Sequence, residues 1–185
     1  MQTDRIRDAV RELLIAIGEN PDRPELSQTP QKVAEAYASF FRGINQDPQA
    51  ALADTMPAEN SELVMLKDIE LVSICEHHLL PFTGVAHIAY LPTESIVGLG
   101  RLANLVEILS ARPQLQEKLT NQIADAVESA LAPKGVLVVV QAKHQCVASR
   151  GARQPEVNTV TLASRGAYND VAQRQEAMSL LSVSA

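Results

Sequence analysis

The chain has 185 residues, of which 46% are hydrophobic and 21% charged, close to the average for a soluble globular domain. Its formal net charge is −6, and it has no lysine/arginine block and no tryptophan, which argues against a generic binder of nucleic acid or anionic membrane. No apolar run approaches a membrane span, no signal region opens the chain, and its two cysteines favour free thiols, so we expect a cytoplasmic protein.

Residues 1–61 are predicted to form an N-terminal helical arm and a connector. Apolar residues recur at helical spacing over 4–17, which predicts an amphipathic helix. Thr29-Pro30 is typical of an N-cap followed by proline at the first helical position. Prolines and turn-forming residues over 44–61 predict a connector with room for one short helix.

Residues 62–185 are predicted to form the main domain, with the order β-β-α-α-β-β. Because adjacent strands can pair as hairpins, the fold class is α+β, with a largely antiparallel sheet and two helices on one face. A last helix is predicted over 170–181. The predicted strands are 63–74, 83–91, 136–150 and 159–167, and the two helices are 101–111 and a segment that begins at Pro113.

Two sequence features predict a metal site. Cys75 and His78 have a Cys-x-x-His spacing that lets both side chains reach one ion from a tight turn. On the predicted strand 136–150, a period of two puts His144 and Cys146 on one face. Taken singly, these residues are explained by a solvated histidine pair or a buried thiol. Taken together, Cys75, His78 and Cys146 favour Zn²⁺ with a fourth position open to water, which the ion would activate for hydrolysis.

Other polar residues have both an ordinary and a functional interpretation. His77 and His144 would move protons near neutral pH. Glu117, early in the second body helix, either complements the helix dipole or accepts hydrogen bonds from the N–H edge of a purine. Four cations are either solvated surface charges or part of a site for a polyanionic substrate: Lys32, Arg101, Arg150 and Arg153.

Two strings make the chain recognisable: SICEHHLLPF at 73–82 and KHQCVASRG at 143–151. Both closely resemble the metal motif of the GTP cyclohydrolase I family. The similarity extends through HIAYLP at 87–92, QLQEKLT at 114–120 and TPQKVA at 29–34, and covers about 170 residues. The resemblance implies a T-fold and a toroidal homodecamer of two pentamers, with active sites between subunits.

The resemblance also implies roles for individual residues. The family's zinc ligands correspond to Cys75, His78 and Cys146, and its catalytic histidines to His77 and His144. Its substrate-binding residues correspond to Glu117, the carboxylate that binds guanine, to Gln116 beside it, and to the phosphate-binding cations Arg101, Arg150 and Lys32. In that family, water attacks C8 of GTP, formate leaves, and the sugar rearranges before ring closure to 7,8-dihydroneopterin triphosphate.

The chain departs from the family pattern on the sugar and phosphate side. The usual Gly-Leu-Ser-Lys is Gly-Leu-Gly-Arg here, so Gly100 replaces a serine that resembles a proton relay and Arg101 replaces lysine. Asn104 and Lys32 replace arginines. Two alternatives therefore stay open: a paralogue that stops at a formamidopyrimidine or uses another guanine nucleotide, and a non-catalytic, zinc-stabilised ring-forming regulatory subunit. A zinc nucleobase deaminase is disfavoured because the chain lacks a PCxxC element.

Overall fold

The computed structural model describes residues 1–181 and separates into two compact units, Met1–Arg42 and Gly43–Ala185. The first unit contains helices α1 (Thr3–Ala16) and α2 (Thr29–Phe40). Pro30 lies in the first turn of α2, as predicted, but the N-cap is Gln28. The assignment of Thr29 as the cap is therefore wrong by one residue, because Thr29 already has a place in the helix.

The second unit has the predicted α+β organisation, and the order β-β-α-α-β-β of its principal elements is confirmed. Three short strands, a short helix, a C-terminal helix and two 3-10 helices, Gln49–Leu52 in the connector and Ala167–Asn169, accompany these elements. In chain order the elements are β1 (Thr55–Pro57), β2 (Val64–Cys75), β3 (Pro81–Leu91), β4 (Ser95–Val97), α3 (Leu99–Ser110), β5 (Pro113–Gln114), α4 (Gln116–Leu131), β6 (Gly135–His144), α5 (Gln145–Ala148), β7 (Thr159–Gly166) and α6 (Val171–Leu181).

The main sheet has five strands in the order β5-β2-β3-β6-β7. β2, β3, β6 and β7 pair antiparallel in turn, whereas β5 pairs parallel with β2. At one end of the sheet, Pro81 pairs with Ile74 and Phe82 pairs with His144. The turn that follows β2 and the segment that follows β6 therefore meet at the same end of the sheet.

The interior strand β6 is buried on both faces of the sheet. Alternate side chains of β6 point to opposite sides. Val136, Val138 and Val140 belong to the large core that α3 and α4 cover, whereas Leu137 and Val139 belong to a smaller core that includes residues of α6. A strand covered on both faces is expected to be apolar throughout, which explains the valine-rich sequence of β6.

Three predicted boundaries differ from the structure. β6 ends at His144 and not at 150, because its pairing with β3 stops at the Phe82–His144 pair. The helix expected from Pro113 begins at Gln116, since residues 113–114 pair with β2. The predicted domain division after residue 61 differs from the division after Arg42, because connector residues Ala51 and Leu52 are buried in the large core.

Candidate active site

The turn between β2 and β3 carries two of the candidate metal ligands. The N–H of Cys75 donates to the Leu80 carbonyl oxygen at 2.9 Å, and the N–H of Leu79 donates to the Cys75 carbonyl oxygen at 2.9 Å. Leu79 has a φ of 52°, which lets the chain reverse sharply. Nδ1 of the exposed His78 lies 4.0 Å from Sγ of Cys75. The closed turn thus brings a thiol and an imidazole together.

Cys146 approaches the same thiol from α5, the helical turn after β6. Strand alternation over 136–150 predicts that Cys146 lies on the same face of a strand as His144. This prediction of the backbone is wrong, because the strand ends at His144. In a helical turn each residue rotates by about 100° relative to the one before it, so strand alternation does not apply. The side chain of Cys146 still lies beside Cys75, but a different backbone conformation directs it there.

Ligand atoms of Cys75, His78 and Cys146 all lie within 4.8 Å of one another. Both cysteines are free thiols, so no disulfide competes with a metal. Burial raises the pKa of Cys146, and the adjacent Cys75 raises it further, whereas Arg150 partly offsets both effects. Two thiolates this close together repel each other, and a divalent cation between them would stabilise both negative charges. The donor set and its spacing therefore fit a metal ion.

His144 lies beside this cluster, at the end of β6. Its ring stacks on Phe82, with the centroids 4.5 Å apart and the planes 13° from parallel. Its Nε2 lies 2.7 Å from Oε1 of Gln116 in the first turn of α4. Burial lowers the pKa of His144, and the negative charge of Glu117 partly offsets that effect. A neutral, oriented imidazole therefore predominates near pH 7.

The two residues at the start of α4 differ sharply in exposure. Glu117 is exposed, and its carboxylate is free to accept hydrogen bonds from a ligand near His144. Gln116 is 2% exposed and is hydrogen-bonded within the protein. His77 is also exposed. It lies on the turn between β2 and β3, with its ring centroid 6.1 Å from that of His78.

The predicted cations are distributed over several elements. Arg150 is exposed and close enough to lower the pKa of Cys146. Arg101, in the first turn of α3, forms an ion pair with Asp54. Arg153 is exposed after α5, and Lys32 is exposed on α2, which belongs to the first unit. Arg150 is thus the cation that the structure brings to the thiols.

Sequence patterns did not predict the partners of two of the predicted site residues, His144 and Arg101. Phe82 was noted only as the end of a motif, yet it stacks on His144. The predicted strand 83–91 begins one residue too late to include Phe82, which lies directly opposite His144 in the sheet. Asp54 was part of an unassigned connector, and a partner 47 residues away in sequence leaves no local signal.

Two thiols, an imidazole and a second histidine at one end of the sheet are the groups from which metal-dependent hydrolytic sites are built. Comparison with known proteins identifies the family. The sequence model of GTP cyclohydrolase I matches residues 6–182. The chain therefore belongs to the GTP cyclohydrolase I family, as the two motifs predicted.

Individual relatives agree with this assignment. The chain is 52% identical over 179 residues to GTP cyclohydrolase 1 of Leifsonia xyli subsp. xyli, covering 96% of this chain and 94% of the relative. It is 47% identical over 180 residues to GTP cyclohydrolase 1 of Streptococcus agalactiae, covering 96% of each. Among solved structures, an archaeosine synthase QueF-Like in the apo form matches with a TM-score of 0.47 and 19% identity, over 59% of this chain and 97% of that chain.

Within residues 1–181, none of the helices combines the length and apolar character needed to cross a bilayer.

Proposed function

We propose that the protein hydrolyses the imidazole ring of GTP at C8, releases formate, and converts the remaining nucleotide into 7,8-dihydroneopterin triphosphate. The observation that carries this proposal is the convergence of Cys75, His78 and Cys146 beside His144, in a chain that belongs to the GTP cyclohydrolase I family. The relatives named above are called GTP cyclohydrolase 1, and this chain matches them over nearly their full length.

Zn²⁺ is the metal that we propose for the thiol–imidazole cluster. Two thiolates and an imidazole suit zinc, whose bonds to sulfur are about 2.3 Å long, so donor atoms within 4.8 Å need only a small movement to share one ion. When bound, the ion would supply Lewis-acid activation of the attacking water. Three protein ligands suit that task better than four, because one coordination position remains open.

The chain's own residues would bind the base and move the protons. We assign Glu117 to accept hydrogen bonds from the N–H edge of guanine, since its carboxylate is exposed beside His144. His144 would protonate a purine nitrogen as water adds to C8, and His77 would take or relay the proton that the water loses. The stacking of His144 on Phe82 supports its role, because a fixed ring delivers a proton in a defined direction.

Arg101, Arg150 and Lys32 are assigned to the triphosphate. Arginine offers a planar, bidentate set of donors to phosphate, so replacing lysine by Arg101 retains the charge but changes the geometry. We assign Lys32 to the active site of a neighbouring subunit, because the family resemblance implies active sites between subunits.

We also propose that the protein forms a homodecamer of two pentamers. We propose the cytoplasm as its location. β7 is the last strand of the main sheet, and its residues Val160 and Leu162 are 55% and 42% exposed. An apolar strand at a sheet edge is a ready surface for pairing with another copy. Native mass spectrometry should find ten times the 20.0 kDa chain mass. A monomer as the main species at micromolar concentration would contradict this assembly.

Product identification tests the function. The metal-loaded protein is incubated in parallel with GTP, GDP and GMP, formate is measured, and the nucleotide products are identified by mass spectrometry. We expect equimolar formate and 7,8-dihydroneopterin triphosphate from GTP. A formamidopyrimidine that persists would favour the paralogue, and a fully metal-loaded protein that leaves GTP unchanged would favour the regulatory subunit.

A further inference from the structure

We infer that Gln116 is a positioning residue, which holds His144 in one tautomer and one orientation, and does not contact the guanine. The catalytic role of His144 in this inference rests on the proposed function, whereas the tautomer itself does not. Gln116 is 2% exposed and lies in the first turn of α4, against the ends of β6 and β7. Its side chain is occupied by protein partners, which leaves little opportunity to reach a substrate.

The orientation of the Gln116 amide follows from its neighbours. Its Nε2 lies 3.0 Å from the carbonyl oxygen of Val140, 3.0 Å from that of Thr159 and 3.1 Å from Oγ1 of Thr161. A carbonyl oxygen only accepts hydrogen bonds, so the group facing Val140 and Thr159 must be the NH₂. The opposite amide orientation would set an oxygen against two carbonyl oxygens. Oε1 is therefore fixed toward His144.

The main chain of Gln116 is anchored as well. Oγ1 of Thr120 donates to the carbonyl oxygen of Gln116 at 2.7 Å. That donation uses the only hydroxyl hydrogen of Thr120, so the 2.6 Å contact between the two threonine hydroxyls must be a donation from Thr161 to Thr120. Thr161 is then left as an acceptor for Nε2 of Gln116. The two hydrogens of Nε2 are thus shared among three acceptors, and both hydroxyl hydrogens have a single assigned direction.

The network decides which nitrogen of His144 carries hydrogen. Nε2 lies 2.7 Å from Oε1 of Gln116, and an amide oxygen can only accept, so Nε2 is the N–H. In the neutral imidazole the lone pair is consequently on Nδ1. The stack on Phe82, with planes 13° apart, fixes the plane in which Nδ1 points. Gln116 and Phe82 together set both the tautomer and the direction of the ring.

This arrangement assigns the proton transfer to one atom. The neutral ring first takes up a proton from solvent on Nδ1. When the resulting imidazolium acts as an acid, that proton leaves Nδ1 for the purine nitrogen, the ring becomes neutral again, and the other hydrogen stays on Nε2, hydrogen-bonded to Oε1 of Gln116. The tautomer that results is the one that Gln116 already binds, so the ring need not rotate or exchange hydrogens after the transfer. Removal of the amide would allow both tautomers and so misplace the transferable proton.

The test begins with the wild-type protein as purified, with its metal content measured. The chain has four histidines, so histidine labelled with ¹³C and ¹⁵N gives a simple magic-angle-spinning spectrum, and the His144→Gln variant identifies the signal of His144. We expect the Nε2–H tautomer. A wild-type His144 that carries its hydrogen on Nδ1 would overturn the inference, whether or not the protein acts on GTP.

Two variants then separate positioning from substrate binding. Gln116→Met keeps the volume but removes the amide, and should yield mixed tautomers, a kcat lower by about 10- to 100-fold, and an almost unchanged KM for GTP and zinc content. Gln114→Met is the matched control, because Gln114 is also a buried amide (1% exposed) but bonds Leu109 and Gln122 instead. It should leave the tautomer unchanged.

A raised KM with an unchanged kcat in Gln116→Met would mean that the amide contacts substrate, and would contradict positioning. The same tautomer change in Gln114→Met would show that any buried amide in this segment has the effect, and would also contradict it. If the wild type releases no formate from GTP, the proposed function fails, while the spectra still decide the tautomer.

Discussion

Asp54 forms an ion pair with Arg101, the arginine that replaces the lysine of the family pattern. The carboxylate comes from the connector, and the guanidinium lies in the first turn of α3. A residue assigned to phosphate thus already has an anionic partner. Triphosphate would have to compete with Asp54 for Arg101 or share it.

Asp54→Asn should therefore strengthen binding of GTP. Loss of the competing charge should lower KM by up to about fivefold, since exposed ion pairs contribute about 0–1 kcal/mol. The effect should shrink as salt is added, because exposed charges are screened. Steady-state kinetics at low and high salt measure it. Asp125→Asn is the matched control, since Asp125 pairs with Arg165 on α4 and β7. An unchanged or higher KM in Asp54→Asn would show that the pair does not restrain Arg101.

Gly100 offers a direct test of the altered sugar side. A Cβ added at Gly100 meets nothing within 4 Å, so serine fits without displacement. In a single turnover, we expect Gly100→Ser to increase the early ratio of pterin to formate, before the two products become equimolar, because the serine hydroxyl would speed the sugar rearrangement. Gly100→Ala adds the same Cβ without a hydroxyl and should leave the ratio unchanged. Both variants should gain up to about 1 kcal/mol in stability, since glycine disfavours helix. Equal product ratios in all three proteins would show that the hydroxyl missing at Gly100 does not limit the sugar rearrangement.

His87 should make the stability of the fold depend on pH. It is 7% exposed on β3, and its Nδ1 accepts the N–H of Asp68 at 3.1 Å, where β2 changes register. Burial lowers the pKa of His87, nearby Lys67 lowers it further, and the Asp68 carboxylate partly opposes both. Protonation of Nδ1 would also remove the acceptor.

Because the folded-state pKa lies below the unfolded value of about 6.5, the unfolded chain binds the proton first as the pH falls. The contribution of His87 is thus complete above about pH 6.5 and is lost progressively below it. His87→Asn keeps an acceptor but does not titrate, and should cost about 1 kcal/mol at pH 7. The difference in unfolding free energy between wild type and variant, measured by urea denaturation, should shrink from pH 7 to pH 5. If this difference in unfolding free energy stayed constant between pH 7 and pH 5, His87 would not be the source of the pH dependence.

His144→Ala should separate metal binding from proton transfer. We expect the variant to retain its zinc, since His144 is not among the three clustered ligands, and to release formate about 10²- to 10⁴-fold more slowly. Metal analysis and a formate assay on the same sample measure both. Loss of zinc along with activity would instead make His144 part of the metal site.

Local patterns predicted much of the fold, and long-range contacts account for what they missed. Alternating and continuous apolar runs located β2, β3, β6 and β7, because burial sets those patterns directly. The Cys-x-x-His spacing likewise predicted the turn between β2 and β3, because the hydrogen bonds that close this turn join residues close together in sequence. Cys146 was found through an alternation that does not exist at its position, since β6 ends two residues earlier.

The role of Gln116 was beyond a reading of local patterns. Its amide is fixed by Val140, Thr159 and His144, which are 24 to 43 residues away and become neighbours only after the sheet has formed. Asp54 is a similar case, because a short connector shows no periodicity that would direct its carboxylate toward α3.

The most direct test of the central claim is a zinc titration of metal-free protein, with formate release from GTP measured at each step. In wild type the rate should rise in proportion to bound zinc and level off at one ion per chain, and in Cys146→Ala neither binding at that stoichiometry nor formate release should occur. Full formate release by metal-free wild type, or by Cys146→Ala, would contradict the assignment of Cys75, His78 and Cys146 as the metal centre of a GTP-hydrolysing site.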